Sequence, residues 1–172
     1  MRPYQTRSGY PDRVNPIFPI PHRETDMTYD FQDGNGPVAA HQHPNGGGWV
    51  ADTASVEPTA YVGLNAKVYG NASVFGHANV FGNARVSGYA MVSGNASVFG
   101  NAIVFGNAMV YDDAGVFGNA IVFGNASVFG NASVFGNAEV SERALVSGNA
   151  KVSGRALVSG RARVFGNAMV CD

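Results

Sequence analysis

The chain has little of several residue types that usually carry chemistry. Cys171 is the single cysteine among 172 residues, which excludes an intramolecular disulfide and a cysteine metal cluster. Charged residues make up 13% of the chain and the formal net charge is −1, and at this length we expect one repeat domain plus an N-terminal segment. No apolar run approaches the length of a membrane span, and residues 1–4 open no signal peptide. We therefore expect a cytoplasmic protein of a bacterium or a phage-infected one, with virion attachment as the alternative.

Proline is also scarce over most of the chain. Seven of the eight prolines lie in residues 1–44, and the turn-forming residues 45–48, Asn-Gly-Gly-Gly, follow them. This change in composition predicts an irregular N-terminal extension and cap at residues 1–48 and one repeat domain at residues 49–172. We expect residues 1–28 to be poorly ordered or to wrap the repeat domain, and residues 29–49 to cap its first coil.

A strict six-residue period fills the rest of the chain. Valine recurs every six residues from Val50 to Val170, and an alanine follows four residues after each valine, from Ala54 to Ala168. Successive side chains of a strand point to opposite faces, so an alanine and the valine two residues after it share one face. Because these two positions do not vary, that face is the interior. The Gly-Asn pairs supply sharp corners. Because one unit cannot bury a core by itself, the period predicts an all-β fold, a parallel β-helix of stacked coils.

Units such as residues 98–103, Val-Phe-Gly-Asn-Ala-Ile, resemble the hexapeptide-repeat left-handed β-helix superfamily. The resemblance covers residues 49–172 and implies triangular coils of three hexads, 18 residues each, that wind left-handed. Between six and seven coils would then fit into the repeat domain. The chain is most similar to the long, uninterrupted hexapeptide-repeat proteins of bacteria and phages, which are often labelled acyltransferases on their fold alone.

The 18-residue step sorts the outward apolar residues onto three faces. The first face carries Phe81, Phe99, Phe117 and Phe135; the second carries Ile103, Phe105, Ile121 and Phe123; the third carries Met91, Met109, Tyr111 and Phe129. These ladders either only support stacking or are buried against another subunit. Contiguous apolar patches usually mark an interface, so we favour a homo-oligomer or a filament. An aromatic platform for sugars or bases is a further alternative.

Polar residues show two other regularities. Asparagines at one corner are predicted to form an amide ladder, and Asp112-Asp113 is interpreted as an exposed variant of a corner, with a cation site as the alternative. The ladder consists of Asn65, Asn83, Asn101, Asn119 and Asn137. Basic residues gather late in the chain, at Arg143, Lys151, Arg155, Arg161 and Arg163. We interpret them as a solvated face and not as a nucleic-acid site.

The family resemblance also implies an enzymatic alternative. Hexapeptide acyltransferases are trimers that bind acyl-CoA between subunits and use a histidine as general base. Here the candidate base is His77, the one histidine of the repeat, although no loop interrupts the coils to cover an acetyl-CoA. The γ-type carbonic anhydrases, also similar, bind a metal on three histidines, for which His41, His43 and His77 are the candidates. Their spacing is not reproduced, so we expect neither a metal nor a cofactor.

The preferred interpretation is a non-catalytic, rigid β-helix that acts as a scaffold or interaction protein. It would self-associate through its aromatic ladders or through the C-terminal coil, where residues 170–172 are still in register and no cap follows. An end contact that does not close would give filaments. The alternative is a trimeric acyltransferase that uses acyl-CoA and His77.

Overall fold

The computed structural model describes residues 27–172, and all regular structure in this range is β-strand. Within the described range no helix is long and apolar enough to cross a membrane. The predictions for residues 1–26 lie outside the described residues.

Almost all strands are two residues long and recur every six residues. In chain order they are β1 (Thr28–Tyr29), β2 (Val38–Gln42), β3 (Trp49–Ala51), β4 (Ser55–Val56), β5 (Tyr61–Val62), β6 (Lys67–Val68), β7 (Ser73–Val74), β8 (Asn79–Val80), β9 (Arg85–Val86), β10 (Met91–Val92), β11 (Ser97–Val98), β12 (Ile103–Val104), β13 (Met109–Val110), β14 (Gly115–Val116), β15 (Ile121–Val122), β16 (Ser127–Val128), β17 (Ser133–Val134), β18 (Glu139–Val140), β19 (Leu145–Val146), β20 (Lys151–Val152), β21 (Leu157–Val158), β22 (Arg163–Val164) and β23 (Met169–Val170).

From β3 onward each strand pairs in parallel with the third strand after it, which places equivalent residues 18 positions apart. Val98, for example, lies beside Val80 on one side and Val116 on the other. Three sheets result, with the orders β1-β2-β3-β6-β9-β12-β15-β18-β21, β22-β19-β16-β13-β10-β7-β4 and β23-β20-β17-β14-β11-β8-β5. Each contains seven parallel strands, so the chain makes about seven turns of 18 residues. The predicted parallel β-helix is confirmed.

Valine and alanine form the interior, as the repeat predicts. Every interior valine and alanine from Val62 to Val152 is fully buried. Burial of each valine side chain contributes about 1.5–2 kcal/mol to the free energy of unfolding. Each interior valine lies directly beside the valine of the next coil, as Val98 does beside Val116. Towards the last coil the core opens, and Ala162 and Ala168 are exposed.

The corners depend on a left-handed backbone conformation. Gly100 has a φ of 74°, and a Cβ atom there would lie 3.0 Å from the backbone nitrogen of Gly118 in the next coil. Asp112 and Glu142 adopt the same conformation, with φ of 59° and 58°. Glycine is therefore favoured by both the backbone angle and the close approach of the next coil.

Residues 27–48 lie against the start of the β-helix and include two strands that the repeat does not indicate. Strand β2 pairs antiparallel with β3, and β1 pairs antiparallel with β2, so both extend the first sheet. The loop after β2 reaches a second sheet, because Gly48 N–H donates to the carbonyl of Val62 at 2.9 Å and Val62 N–H donates to the carbonyl of Asn45 at 3.0 Å. These bonds cover the first edge of two of the three sheets.

Candidate functional site

The outer surface of the sheet that runs from β5 to β23 carries an aromatic ladder and is here named the Phe face. Its four rings stand one per coil, with centroids 4.8 Å apart for the first two steps and 5.0 Å for the third. Interplanar angles are between 2° and 5°, so the rings are parallel. The members are Phe81, Phe99, Phe117 and Phe135. The predicted stacking on this face is confirmed.

Stacking covers the flat sides of these rings but leaves their outer edges in solvent. Phe81, at the start of the ladder, is 37% exposed, whereas Phe99, Phe117 and Phe135 are half-buried. A ring between two others loses solvent on both flat sides. An aromatic ridge therefore remains accessible along the middle of the prism.

A row of small residues runs beside this ridge, two positions earlier on each strand. The row consists of Asn79, Ser97, Gly115 and Ser133, which lie next to one another in the sheet. A Cβ atom at Gly115 would lie 3.6 Å from the ring of Phe117, so this ring leans over the row. The Phe face thus combines a ridge with a shallow shelf that a side chain of another molecule can reach.

The other two faces carry shorter aromatic ladders beside larger aliphatic side chains. On the outer surface of the nine-stranded sheet, the Ile face, Phe105 and Phe123 stack at 5.0 Å, beside Ile103 and Ile121. On the outer surface of the sheet from β4 to β22, the Met face, Tyr111 and Phe129 stack at 4.9 Å. Met91 and Met109 pair beside them and are 37% and 38% exposed. The predicted division into three apolar faces agrees with this register.

The Met face contains a perturbed titratable group. Partial burial raises the pKa of the Tyr111 hydroxyl, and the adjacent Asp112 carboxylate raises it further. Both effects disfavour the phenolate, since burial removes water and the carboxylate repels a second negative charge. The hydroxyl consequently stays protonated to a higher pH than an unperturbed tyrosine, and in this form it can donate a hydrogen bond to a partner.

The corner residues form hydrogen bonds to neighbouring coils. Side-chain amide N–H groups donate hydrogen bonds of 3.0 Å to the Oδ1 of the next asparagine, from Asn83 to Asn101, from Asn101 to Asn119 and from Asn119 to Asn137. At another corner, Asp112 Oδ2 accepts from the backbone N–H of Gly130 at 3.1 Å. Asp113 Oδ1 accepts from the side-chain amide of Asn95 at 2.9 Å. The two carboxylates therefore already have donors in neighbouring coils.

Basic residues of the last coils are exposed but do not form one patch. Arg143 and Arg161 share a corner, Arg155 stands at a different corner, Lys151 lies on the Phe face and Arg163 on the Met face. This scatter around the prism fits a solvated surface.

The three candidate histidines have different environments. His41 is exposed, and its Nδ1 lies 2.8 Å from Asp52 Oδ1. His43 is buried, and its Nε2 lies 3.0 Å from the carbonyl oxygen of Ala60, so Nε2 carries the hydrogen and donates. His77 is exposed at a corner, where its backbone N–H donates to the carbonyl of Gly94. Among residues 27–172, no three His, Cys, Asp or Glu side chains are grouped closely enough to hold a metal ion.

Cavities open on the outer surface of residues 27–172 at the Met face and at the start of the Ile face. One, of about 340 Å³, lies on the Met face and is lined by Phe129, Leu145, Ser147, Arg163 and Phe165. The other, of about 530 Å³, lies at the start of the Ile face and is lined by Tyr29, Gln42, Trp49, Leu64, Asn65, Lys67 and Asn83. The first asparagine of the predicted corner ladder, Asn65, faces this second cavity.

An aromatic cluster outside the prism was not predicted from the sequence. Phe31 and Ala40 pack with Ala51 and Tyr69 on the Ile face, where the Phe31 and Tyr69 rings stack at 4.9 Å. Arg85 joins the two parts, since its Nη2 donates to the carbonyl of Phe31 at 3.0 Å and to the Tyr69 hydroxyl at 2.7 Å. The available signal was the tyrosine at position 69, which stands where most units have Phe or Ser.

Comparison with protein-family models, with curated proteins and with solved structures finds no match to this chain. The functional conclusion therefore depends on the geometry of the faces and cavities alone.

Proposed function

We propose that this chain is a hexapeptide-repeat β-helix with left-handed coils that works as a non-catalytic, rigid scaffold and self-associates laterally through the Phe face. The observation that carries this proposal is the four-ring ladder, which stays accessible at its outer edge beside a row of small residues. Such a contiguous apolar strip on a regular surface favours contact with another apolar surface over contact with water.

The regular register supports a second copy as the partner. The coil rise of about 4.8 Å is the same on every copy, so a ring of one ladder can fit beside a ring or between two rings of another over the whole length. This matching of repeats is what stabilises dry interfaces between stacked sheets.

The size of one face limits how strong this contact is. Seven coils at about 4.8 Å give a length of about 34 Å, and the four extended residues of one hexad at about 3.3 Å give a width of about 13 Å. Contact over one face would then bury about 450 Å² per partner, below the roughly 800 Å² of a standard stable interface. We therefore expect weak, concentration-dependent association, which the Ile and Met faces strengthen when several copies assemble.

The experiment is a comparison of two matched double variants by sedimentation velocity across a concentration series. Phe99→Ser with Phe117→Ser removes the centre of the Phe ladder, and Phe105→Ser with Phe123→Ser removes the ladder of the Ile face. Serine occupies the equivalent position in other coils, so both variants keep the fold. The first variant should lose association while the second keeps most of it. Association that survives in the first variant, or that is lost equally in both, would contradict the assignment to the Phe face.

Acyl transfer is separated from the scaffold function by His77→Ala. A scaffold keeps its association state in this variant. An acyltransferase would bind acetyl-CoA and would lose turnover when the imidazole is removed.

A further inference from the structure

The outward aromatic row of the Met face lacks a ring in two places, at Ser93 and at Ser147. Successive coils place Phe75, Ser93, Tyr111, Phe129, Ser147 and Phe165 in this row. Tyr111 and Phe129, on adjacent coils, stack at 4.9 Å. Phe129 and Phe165 are separated by two coils, so their rings stand about 10 Å apart with Ser147 between them. A single planar ring placed in this gap would lie at the ordinary stacking distance from both.

The gap is an open cavity. Phe129 and Phe165 form two opposite walls, and Leu145, Ser147 and Arg163 complete the lining of its volume of about 340 Å³. This volume is near the lower end of the range for small-molecule sites. Phe165 is 68% exposed, so one of its flat sides is available to a ligand.

The lining also carries a positive charge. Among residues 27–172, no carboxylate lies within 4.0 Å of the Arg163 guanidinium. Arginine binds carboxylate and similar planar anions through paired donors, and the hydroxyl of Ser147 adds one donor or acceptor. An aromatic ring with an anionic substituent therefore fits the cavity better than a neutral ring.

The second gap in the same row shows what a closed gap looks like. Ser93 lies between Phe75 and Tyr111 but is only 8% exposed, whereas Ser147 is half-buried. The long side chains of Met91 and Met109 stand beside Ser93. The two serines have the same place in the repeat, so they form a matched pair of positions.

We propose that the gap between Phe129 and Phe165 binds a planar aromatic acid, which inserts in place of the ring missing at Ser147 and pairs with Arg163. The ligand is a free small molecule, recognised by its flat ring and its negative charge. This site lies on the Met face and not on the Phe face, which carries the proposed self-association.

The experiment is a titration of the full chain with 2-naphthoate. Binding is measured by calorimetry and by the NMR chemical shifts of the ligand protons. The wild-type chain should bind one equivalent, and the ligand signals should move upfield because two rings enclose it. Ser147→Phe restores the consensus residue and fills the gap, which should weaken binding by more than about tenfold. Ser93→Phe, the matched control, should leave binding unchanged. If Ser147→Phe does not fold, Ser147→Leu fills the same space with an aliphatic side chain.

The charge is tested with Arg163→Gln. This variant should weaken binding of 2-naphthoate by roughly three- to tenfold and leave the weaker binding of neutral 2-naphthol unchanged. Equal binding of 2-naphthoate by wild type and Ser147→Phe, or an absence of saturation, would overturn the proposal. A third result would also overturn the proposal: 2-naphthoate dissociates oligomers of the wild-type chain, and the Ser147→Phe variant is monomeric without ligand. The gap would then bind a side chain of a second copy.

Discussion

The rings of Phe99 and Phe117 stack in parallel, with centroids 4.8 Å apart and an angle of 5° between their planes. This distance equals the spacing of neighbouring strands, so backbone pairing sets it. Phe99 N–H donates to the carbonyl of Val116 at 3.0 Å, and Phe117 N–H donates to that of Val134 at 2.9 Å. The ladder is therefore as rigid as the sheet that carries it, and a partner meets a surface that needs little ordering on binding.

The corner glycines should differ in how much a methyl group costs. Gly100→Ala introduces a Cβ atom 3.0 Å from the backbone of the next coil at a φ of 74°. Gly166 has a similar φ of 66°, but among residues 27–172 no atom outside its two chain neighbours would lie within 4 Å of a Cβ atom at this position. Gly166→Ala therefore has only the cost of placing alanine in the left-handed conformation. We expect Gly166→Ala to lose about 1 kcal/mol and Gly100→Ala clearly more. Denaturant unfolding of both variants measures the difference, and equal losses would mean that the next coil yields without cost.

The asparagine ladder should contribute to stability at its centre. The side chain of Asn119 accepts from Asn101 and donates to Asn137. The side-chain amide of Asn107 makes no hydrogen bond to residues 27–172, although its backbone N–H donates to the carbonyl of Gly124. Asn119→Ala should cost about 1–2 kcal/mol in the free energy of unfolding, and Asn107→Ala should cost close to nothing. Urea midpoints of the two variants provide the measurement. A loss in Asn107→Ala as large as that in Asn119→Ala would assign the effect to the corner backbone and not to the ladder.

The six-residue period predicted a parallel β-helix with interior valines and alanines, whereas the family resemblance implied the 18-residue coil and hence the faces that carry Phe99, Ile103 and Tyr111. The period succeeds because one unit fixes the geometry of all others. The cluster of Phe31, Tyr69 and Arg85 was not predictable in the same way, because Phe31 lies outside the repeat and its contact with Arg85 joins residues 54 positions apart. The cavity beside Ser147 was also missed, because it arises from the absence of a ring between two others.

Stability should depend on alkaline pH through Tyr111. Partial burial and the Asp112 carboxylate raise the pKa of this hydroxyl in the folded state. Well below about pH 10 the hydroxyl is protonated in both the folded and the unfolded state, and its contribution to the free energy of unfolding is fully present. As the pH rises towards the folded pKa, the unfolded state loses its proton first, and the free energy of unfolding falls. Tyr111→Phe should reduce this fall, and Asp112→Asn should reduce it partly. Thermal unfolding between pH 8 and about pH 11 tests this, and a profile unchanged in Tyr111→Phe would contradict it.

The contact between Arg85 and the N-terminal segment should control local opening of β1 and β2. Arg85→Met keeps the apolar stem but removes both hydrogen bonds. The N–H of Ala40 donates to the carbonyl of Met27 at 2.9 Å and reports on the opening of these strands. Its hydrogen exchange should accelerate by about tenfold or more in Arg85→Met. Lys67 lies 5.2 Å from the centroid of the Tyr29 ring, and Lys67→Met serves as the control with a smaller effect. Unchanged exchange in Arg85→Met would show that aromatic packing alone holds the segment.

Lateral self-association raises the absolute mass of the protein in solution above that of one chain. Light scattering of the full chain from micromolar to millimolar concentration should show a mass that rises above the 17.9 kDa of one chain. The rise should be gradual, because one face buries less area than a stable interface needs. A mass of 17.9 kDa at every concentration would contradict lateral self-association.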